Sequence, residues 1–235
     1  MEKEYNQKRI HPPIWQHDYH VLSRLSAGIN RIIHKHLKKR KKGILLDYGC
    51  GPMPYKDFFQ TFIAKYIGVD IGENEHADIL IKEEEMIPVK KESVDIVLST
   101  QVLEHIENVD FYLSECFRIL KKNGGLILST HGIWPYHPYP EDYHRWTKHG
   151  LNKALSKSGF EVVENISVLG SMASASQFQM TLIAQMFAEK GLLGKAILVF
   201  ISVIANFFIW LDDRLYKIND EKADASVYLI YAQKR

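Results

Sequence analysis

Two apolar runs in the first third of the sequence end in residue types suited to binding a nucleoside. Asp47, Gly49 and Gly51 follow the first run. Asp70 ends the second. Glycines just after a buried strand let the backbone approach a ligand closely, and a carboxylate at the end of the next strand can accept hydrogen bonds from both hydroxyls of a ribose. The spacing therefore predicts a site for an adenosine-containing cofactor.

The residues after the glycines, Pro52, Met53 and Pro54, separate two classes of such cofactor. A dinucleotide pyrophosphate favours a third glycine and a helix N-terminus with free N–H groups. Two prolines remove two backbone donors, so a phosphate would be poorly held. A ligand that presents one carboxylate and one amine needs fewer donors. The loop therefore favours the methionine end of S-adenosylmethionine.

Four motifs in register, at 46–51, 87–97, 102–106 and 118–125, make the chain resemble the class I S-adenosylmethionine-dependent methyltransferases of the broad type 11 group. The resemblance covers about residues 43 to 160. Met53 departs from it, because the family has a third glycine there. The cofactor contacts that the resemblance implies are Asp47, Gly49 and Gly51 at the methionine moiety, Asp70 at the ribose, Glu83 or its neighbour at the adenine, and Gln101 beside the fourth strand.

Alternating apolar runs and helical patterns predict one α/β fold, a doubly wound, mostly parallel seven-stranded sheet with helices on both faces. Strands are expected at 44–48, 66–70, 77–81, 94–99, 126–130, 160–166 and 226–232, the last antiparallel as in the family's pattern. Helices are expected at 18–40, after Asn108, and at 148–158. The expected division is a helical cap at 1–42, the cofactor-binding core at 43–170, an apolar helical insertion at 171–223 and the final strand of the core at 224–235.

Size and composition are those of a folded globular chain. It has 235 residues, 46% hydrophobic and 25% charged, with a net charge of +2. The basic run at 31–42 is typical of the solvated end of a helix, and a nucleic-acid partner is not expected because no nucleic-acid module is recognised. Two cysteines make no disulfide framework, and no apolar leader begins the sequence, so a cytoplasmic location is expected.

The segment 192–211 has the length and apolarity of a bilayer span, with Lys195 as its single charge. A single crossing would place the last strand on the wrong side of the membrane. The segment is therefore expected to form a helical hairpin that lies at the membrane interface, pairs with a second subunit as a homodimer, or packs on the domain. These alternatives remain open at this point.

The loop after the fifth strand, 131–147, is expected to face the transferable methyl group, because ligands lie beyond the carboxyl ends of the strands in such sheets. His137 and His144 are the candidate general bases, since imidazoles titrate near neutral pH. Asp142 is expected to orient one of them or to pair with Arg145. The pattern resembles methyltransferases of surface-glycan assembly, and His137, Asp142 and Arg145 fall on matching positions.

Four further residues of this loop are expected to contact the acceptor substrate: Arg145, Trp146, Tyr143 and His131. An alternative is that some of them pin the loop to the next helix, with Thr147 as its N-cap. The spacing of the histidines matches no compact metal-ligand motif, so no metal is expected. The pair Glu104 and His105 is interpreted as structural.

Two functions follow. The first is O-methylation of a small hydroxylated acceptor, such as a sugar or a lipid-linked glycan, by a cytoplasmic enzyme that works at the inner membrane face. The second is a catalytically inactive, methyltransferase-shaped scaffold that dimerises through 192–211, for which Met53 is the only support.

Overall fold

A computed structural model describes residues 2–38, 42–138, 140–187, 189–216 and 224–235. Parts of the expected basic run (39–41) and of the insertion (217–223) lie outside these ranges. The helices are α1 Glu2–Ile10, α2 Tyr19–Ile32, α3 Lys56–Phe59, α4 Val109–Ile119, α5 Lys148–Lys157, α6 Ser171–Phe187 and α7 Gly191–Leu215. The strands are β1 Gly43–Tyr48, β2 Ile63–Ile71, β3 Ile79–Ile81, β4 Val94–Thr100, β5 Leu120–His131, β6 Phe160–Val168 and β7 Val227–Lys234.

The described strands form one seven-stranded sheet in the order β3-β2-β1-β4-β5-β7-β6. Strand β7 runs antiparallel to β5 and β6, and the pairs among β1 to β5 are parallel. The expected fold class, including the antiparallel last strand, is confirmed. The chain leaves β1 toward β2 on one side and later adds β4 on the other, which opens a crevice at their carboxyl ends.

Both faces of the sheet are covered by helices. On one face α4 and α5 bury residues such as Leu113 and Leu155 against the strands. On the other face α2, α6 and α7 contribute Ile29, Met180 and Ile209 to a second core. Because the central strands are buried on both faces, they read as continuous apolar runs in the sequence.

Caps at the expected places begin two of the helices. The Asn108 side chain accepts from the backbone N–H of Phe111 at the start of α4. The Thr147 hydroxyl accepts from the N–H of Gly150 at 3.1 Å and caps α5. Side-chain oxygens at these positions satisfy N–H groups that have no partner within the helix. Thr147 thus ties the loop that follows β5 to α5.

Some of the described elements differ from the sequence prediction. Helix α1 lies within the expected helical cap but was not predicted as a separate helix. The expected helix at 18–40 consists of α2, up to Ile32, and a π-helical turn, Ile33–Leu37, and its last two positions lie outside the described residues. Strand β5 begins at Leu120, directly after α4, rather than at residue 126. Its register against β4 shifts before Gly125, and Asn123 has a φ of +65°, so residues 123–125 form an irregularity within the strand.

Helices α6 and α7 form the expected hairpin before β7, and α7 is apolar nearly all round. Its buried positions are few and include two polar residues, Ser202 and Asn206. The Asn206 side chain donates to the carbonyls of Ile14 (2.7 Å) and Gln16 (2.9 Å). Among the described helices, α7 alone is long and apolar enough to span a bilayer, and 22% of its most apolar stretch is buried.

Candidate active site

A cavity of about 630 Å³ lies at the carboxyl ends of β1, β2, β4 and β5, which is within the usual range for small-molecule sites. Helices α1, α2 and α6 form its roof, through residues that include Arg9, Leu22 and Thr181. Sequence reasoning did not place α1 or α6 at the site. The roof matters chemically because it limits the access of water to the crevice.

The glycine loop after β1 has the shape that a close ligand requires. Gly49 has a φ of +77° and donates to the carbonyl of Val69 at 2.8 Å. Gly51 has a φ of +49°, lines the cavity, and a Cβ added to it would meet no atom within 4 Å. The backbone at Gly51 is therefore open to a ligand, as predicted for a cofactor loop.

Met53 takes up the backbone conformation of the missing third glycine. Its φ is +52°, in the left-handed region, and its side chain is 7% exposed. The methyl carbon of Met53 packs against Gly68 of β2, so closely that a Cβ there would lie 2.1 Å from it. Met53 is not among the described residues that line the cavity. Its side chain thus points away from the crevice, and the loop keeps its course.

Asp70 lines the cavity at the end of β2, with a carboxylate already held in place. Its Oδ2 accepts from the N–H of Gly51 at 2.9 Å and from the Asn74 amide at 2.6 Å. Its Oδ1 accepts from the N–H of Ile71 at 2.9 Å. An ionised carboxylate has about four acceptor positions, so it can still accept from ribose hydroxyls. The pre-set carboxylate beside the open backbone of Gly51 fits the adenosyl part of S-adenosylmethionine.

Two further predicted cofactor residues line the same cavity. Glu83 lines the cavity, as do its neighbours Lys82 and Glu84. Gln101 has a φ of +57° and its N–H donates to the carbonyl of Ser129 at 2.9 Å. This strained backbone turns the chain at the end of β4 and brings Gln101 to the cavity.

Asp47 requires a correction, because it is not among the described residues that line the cavity. It is 2% exposed, and its Oδ2 accepts from the Tyr66 hydroxyl at 2.5 Å. Burial raises its pKa to about 7, which the Tyr66 hydrogen bond opposes and the charge of Asp70 supports. The side chain points toward β2, so that Asp47 supports the glycine loop from behind.

At the other end of the cavity, the residues that follow β4 and β5 meet. Glu104 is fully buried, and its Oε1 lies 3.1 Å from Nδ1 of His131. The Thr130 hydroxyl donates to Oε2 at 2.9 Å. The His131 ring stacks on Trp134 with centroids 4.8 Å apart and an angle of 5°. Sequence reasoning took Glu104 as structural. Its position just after β4 could have indicated a place in the site, because neighbouring parallel strands such as β4 and β5 end at the same edge of the sheet.

The candidate base His137 also lines this end of the cavity, and its ring centroid is 6.3 Å from that of His131. Burial and the charge of His105 lower its pKa. Asp142 accepts the backbone N–H of His137 at 2.7 Å. The carboxylate therefore positions the His137 backbone.

Arg145 cross-links the loop that follows β5. Its guanidinium donates to both oxygens of Asp142, at 2.5 and 2.6 Å, and to the carbonyls of Trp134 (2.8 Å) and Pro135 (2.7 Å). Burial raises the pKa of Asp142, but the Arg145 hydrogen bonds outweigh this, and the net shift is downward. Neither residue is among the described residues of the cavity wall. The pair holds the loop in place.

His144 and Trp146, predicted as a base and as an acceptor contact, likewise do not belong to the cavity wall within the described ranges. The ring nitrogen Nε2 of His144 is buried, and the two rings lie 5.4 Å apart. The backbone N–H groups of Tyr143 and His144 both donate to the carbonyl of Glu104. Burial then alternates residue by residue along 141–147, so Tyr143 faces the cavity and His144 the opposite side.

Burial raises the pKa of the Cys50 thiol to about 12, with smaller contributions from Asp47 and Asp70. It is therefore protonated at neutral pH and a poor nucleophile. No cluster of three or more potential metal-ligating His, Cys, Asp or Glu residues occurs in the part of the chain that the structure describes.

Comparison with known proteins places this geometry in a family. A family model described as "Methyltransferase domain" matches residues 15–165. A "Probable S-adenosylmethionine-dependent methyltransferase" of Mycolicibacterium smegmatis is 26% identical over 59% of this chain and 60% of its own length. A "Ubiquinone biosynthesis O-methyltransferase" of Pelagibacter ubique is 29% identical over 37% of this chain and 41% of its own length. The chain thus spans about half the length of these relatives.

Solved structures with the same fold are more distant in sequence. The [4+2]-cyclase SpnF has a TM-score of 0.59 at 14% identity, with 91% of this chain and 83% of that chain covered. Phosphoethanolamine N-methyltransferase 2 of Haemonchus contortus, in complex with S-adenosyl-L-methionine, has a TM-score of 0.57 at 14% identity over 100% of this chain and 60% of that one. At this identity the likeness concerns the fold alone.

Proposed function

The chain belongs to the methyltransferase-domain family, and from that membership we propose that it transfers a methyl group from S-adenosylmethionine to a hydroxyl group of a small acceptor. The observation that carries the proposal is the pre-set carboxylate of Asp70 beside the open backbone of Gly51. Asp70 binds the ribose, Glu83 or Glu84 borders the adenine, and the methionine end lies between Gly51 and Gln101.

When bound, S-adenosylmethionine supplies an electrophilic methyl group. The protein's task is to align the acceptor oxygen with that methyl and to exclude water. A hydroxyl nucleophile must also lose its proton, and the histidines at the far end of the cavity can accept it. The large rings of Trp134 and Tyr143 suit the apolar face of a sugar. These features favour a hydroxylated, ring-shaped acceptor such as a monosaccharide.

The test has two steps. Calorimetry with S-adenosylhomocysteine should give one site per chain. Mass spectrometry should then find an O-methylated product after incubation with S-adenosylmethionine and glucose, octyl glucoside or dodecyl glucoside. Binding without methylation of any of these glycosides would contradict the acceptor class. Absence of binding would contradict the cofactor and favour the inactive scaffold. Met53 no longer supports that alternative, because its side chain leaves the loop unobstructed.

Helix α7 favours an acceptor that is attached to a lipid and a protein that binds at the inner membrane face from the cytoplasm. Its outer side exposes large apolar residues, among them Phe200 (67%) and Phe207 (56%), whereas polar Asn206 faces inward. Contiguous exposed apolar surface of this kind marks an interaction site. Helix α6, which packs against α7, also lines the cavity through Gln185. An acceptor held in a membrane would thus reach the cavity beside the surface that binds the membrane.

Charge distinguishes a lipid surface from a second copy of the chain as the occupant. The exposed charges of α7 are Lys195 near its start and Arg214, which lies over the Trp210 ring at 5.1 Å. Asp212 and Asp213 near its end are turned inward to Ser176 and Arg24. Cations that flank an apolar face suit anionic head groups. In an antiparallel homodimer through 192–211 they would face one another and repel.

Flotation with vesicles of phosphatidylcholine and phosphatidylglycerol tests this contact. The wild-type chain should float, and the double substitution Phe200→Ser and Phe207→Ser should remain at the bottom of the gradient. Met86→Ser, a change at a side chain that is 57% exposed elsewhere, should float like the wild type. If the wild-type chain does not float with the vesicles and sediments as a dimer in analytical ultracentrifugation, the lipid contact is contradicted.

A further inference from the structure

One imidazole of the cavity has a buried carboxylate directly behind it. Glu104 is fully buried, and its Oε1 lies 3.1 Å from Nδ1 of His131. The two atoms lie within ion-pair distance, and neither has a hydrogen-bond partner among the described residues. The other carboxylate oxygen of Glu104 accepts from the Thr130 hydroxyl at 2.9 Å. Thr130 thus holds the carboxylate on one side, and the imidazole lies on the other.

We infer that His131 is the general base that deprotonates the acceptor, with Glu104 as its positioning residue; this rests on the proposed methyl transfer to oxygen. At a separation of 3.1 Å, an ionised Glu104 is placed to accept the Nδ1–H of His131 when the ring and the carboxylate align. This fixes the tautomer in which Nε2 carries the free lone pair. Since His131 lines the cavity, its edge remote from Glu104 presents Nε2 to an acceptor.

The surroundings of His131 keep its ring in one orientation. The Trp134 indole lies parallel to it at 4.8 Å between centroids, and the backbone carbonyl of His131 accepts from the N–H of Trp146 at 3.0 Å. His137, the base expected from sequence, differs in this respect. Its neighbouring carboxylate, Asp142, accepts the backbone N–H of His137 and is neutralised by Arg145. That carboxylate therefore does not select a tautomer of the His137 ring.

The charges around the pair suit a neutral base, and at the supporting carboxylate they act against the effect of burial. Burial, followed by the charges of Arg145, His137 and His105, lowers the pKa of His131, and Asp142 opposes this. The imidazole is therefore unprotonated at neutral pH and able to accept a proton. Burial raises the pKa of Glu104, and the net shift is upward. A backbone hydrogen bond, the Thr130 hydroxyl and the charges of His105 and Arg145 act against burial and in favour of the ionised carboxylate.

The step balances without a further reactant. The acceptor hydroxyl gives its proton to Nε2 of His131, and an oxygen electron pair forms the new bond to the methyl carbon. The bond between that carbon and sulfur breaks, and its electron pair remains on sulfur in S-adenosylhomocysteine. The imidazolium beside Glu104 then releases its proton to solvent.

Nitrogen-15 NMR of the imidazoles tests the tautomer without any acceptor. In the wild-type chain at pH 7, His131 should be neutral, with the proton on Nδ1 and none on Nε2. Its signals are assigned by their loss in His131→Gln. Glu104→Gln should move the proton to Nε2, because an amide no longer favours the Nδ1–H donor, whereas Glu107→Gln on the same cavity wall should leave it on Nδ1. A proton on Nε2 in the wild type would overturn the inference.

Kinetics with octyl glucoside give the second readout. His131→Ala should lower kcat by about 10²- to 10⁴-fold, as expected for loss of a general base, and added imidazole should restore part of it. The Kd for S-adenosylhomocysteine should change by less than about twofold. Unchanged kcat in His131→Ala would refute the role of His131 while leaving methyl transfer intact. Absence of methyl transfer in the wild type would refute the proposed function instead, and the tautomer measurement would still decide the state of the pair.

Discussion

The carboxylate of Asp70 can be tested by a change that removes its charge and keeps its shape. In Asp70→Asn the side-chain oxygen can still accept from the N–H of Gly51. The new NH₂ group then faces the N–H of Ile71, which donates to the other carboxylate oxygen in the wild type. Two ribose hydroxyls would meet an amide instead of a carboxylate.

The expected loss of affinity follows from the difference between charged and neutral hydrogen bonds. A hydrogen bond to a charged group contributes about 1.5–3 kcal/mol and a neutral one about 0.5–1.5 kcal/mol, so each ribose contact weakens by roughly 1–1.5 kcal/mol. Two contacts give about 2–3 kcal/mol. At about 1.4 kcal/mol per tenfold change, the Kd for S-adenosylhomocysteine should rise by roughly 30- to 150-fold.

Isothermal titration calorimetry measures this Kd directly. The matched control is Asp57→Asn, because Asp57 is an exposed carboxylate on α3 whose contact is with Gln60. That variant should bind like the wild type. Urea unfolding of both variants checks that the fold is intact. If Asp70→Asn is folded and its Kd rises by less than about threefold, the carboxylate does not hold the ribose and the assignment of the adenosyl site is wrong.

Four further substitutions probe the support of the site. Gly49→Ala should lower the free energy of unfolding in urea by about 2–5 kcal/mol, because φ is positive and the new Cβ would lie 2.5 Å from Val102. Gly51→Ala has a positive φ but free space around the new Cβ. It should lower the free energy of unfolding by about 1–2 kcal/mol and weaken the binding of S-adenosylhomocysteine. The pKa of Asp47 is raised from 3.8 to about 7 in the folded chain, which therefore holds a proton there that the unfolded chain releases. As the pH rises between these values, the free energy of unfolding of the wild type should fall by about 1.4 kcal/mol per pH unit relative to that of Asp47→Asn. Equal pH profiles of the two in urea unfolding would contradict this. Arg145→Lys loses the two-point contact with its carboxylate and should speed limited proteolysis within 132–147 by about tenfold; unchanged cleavage would show that the loop does not depend on the guanidinium.

Most residues at the cofactor end of the cavity could be predicted from the sequence. Gly51 and Asp70 can be recognised in the sequence because each follows or ends an apolar run that predicts a strand. A cofactor at the ends of these two strands needs a glycine for close approach to the backbone and a carboxylate for the ribose. Asp47 was misplaced, because the direction of a side chain at a strand end depends on register. Its carboxylate accepts from the Tyr66 hydroxyl instead of contacting a ligand, and this partner on β2 can be identified only in the folded sheet.

The acceptor end was less accessible to sequence reasoning. The pair of Glu104 and His131 joins residues 27 positions apart through the ends of β4 and β5, and its Oε1 to Nδ1 approach is a tertiary distance. The side on which His144 lies depends on an extended segment pinned to the carbonyl of Glu104. The roof helix α1 has a polar, weakly patterned sequence, so its packing over the cavity left no periodic signal.

The fold does not determine the reaction, because a [4+2]-cyclase shares it. A crystal structure of the chain with S-adenosylhomocysteine is therefore the decisive measurement for this site. We expect the adenosyl group in the crevice between β1 and β4, with both ribose hydroxyls on the carboxylate of Asp70 and the sulfur facing the cavity end that holds His131. A ligand bound elsewhere, or a ribose without contact to Asp70, would contradict it.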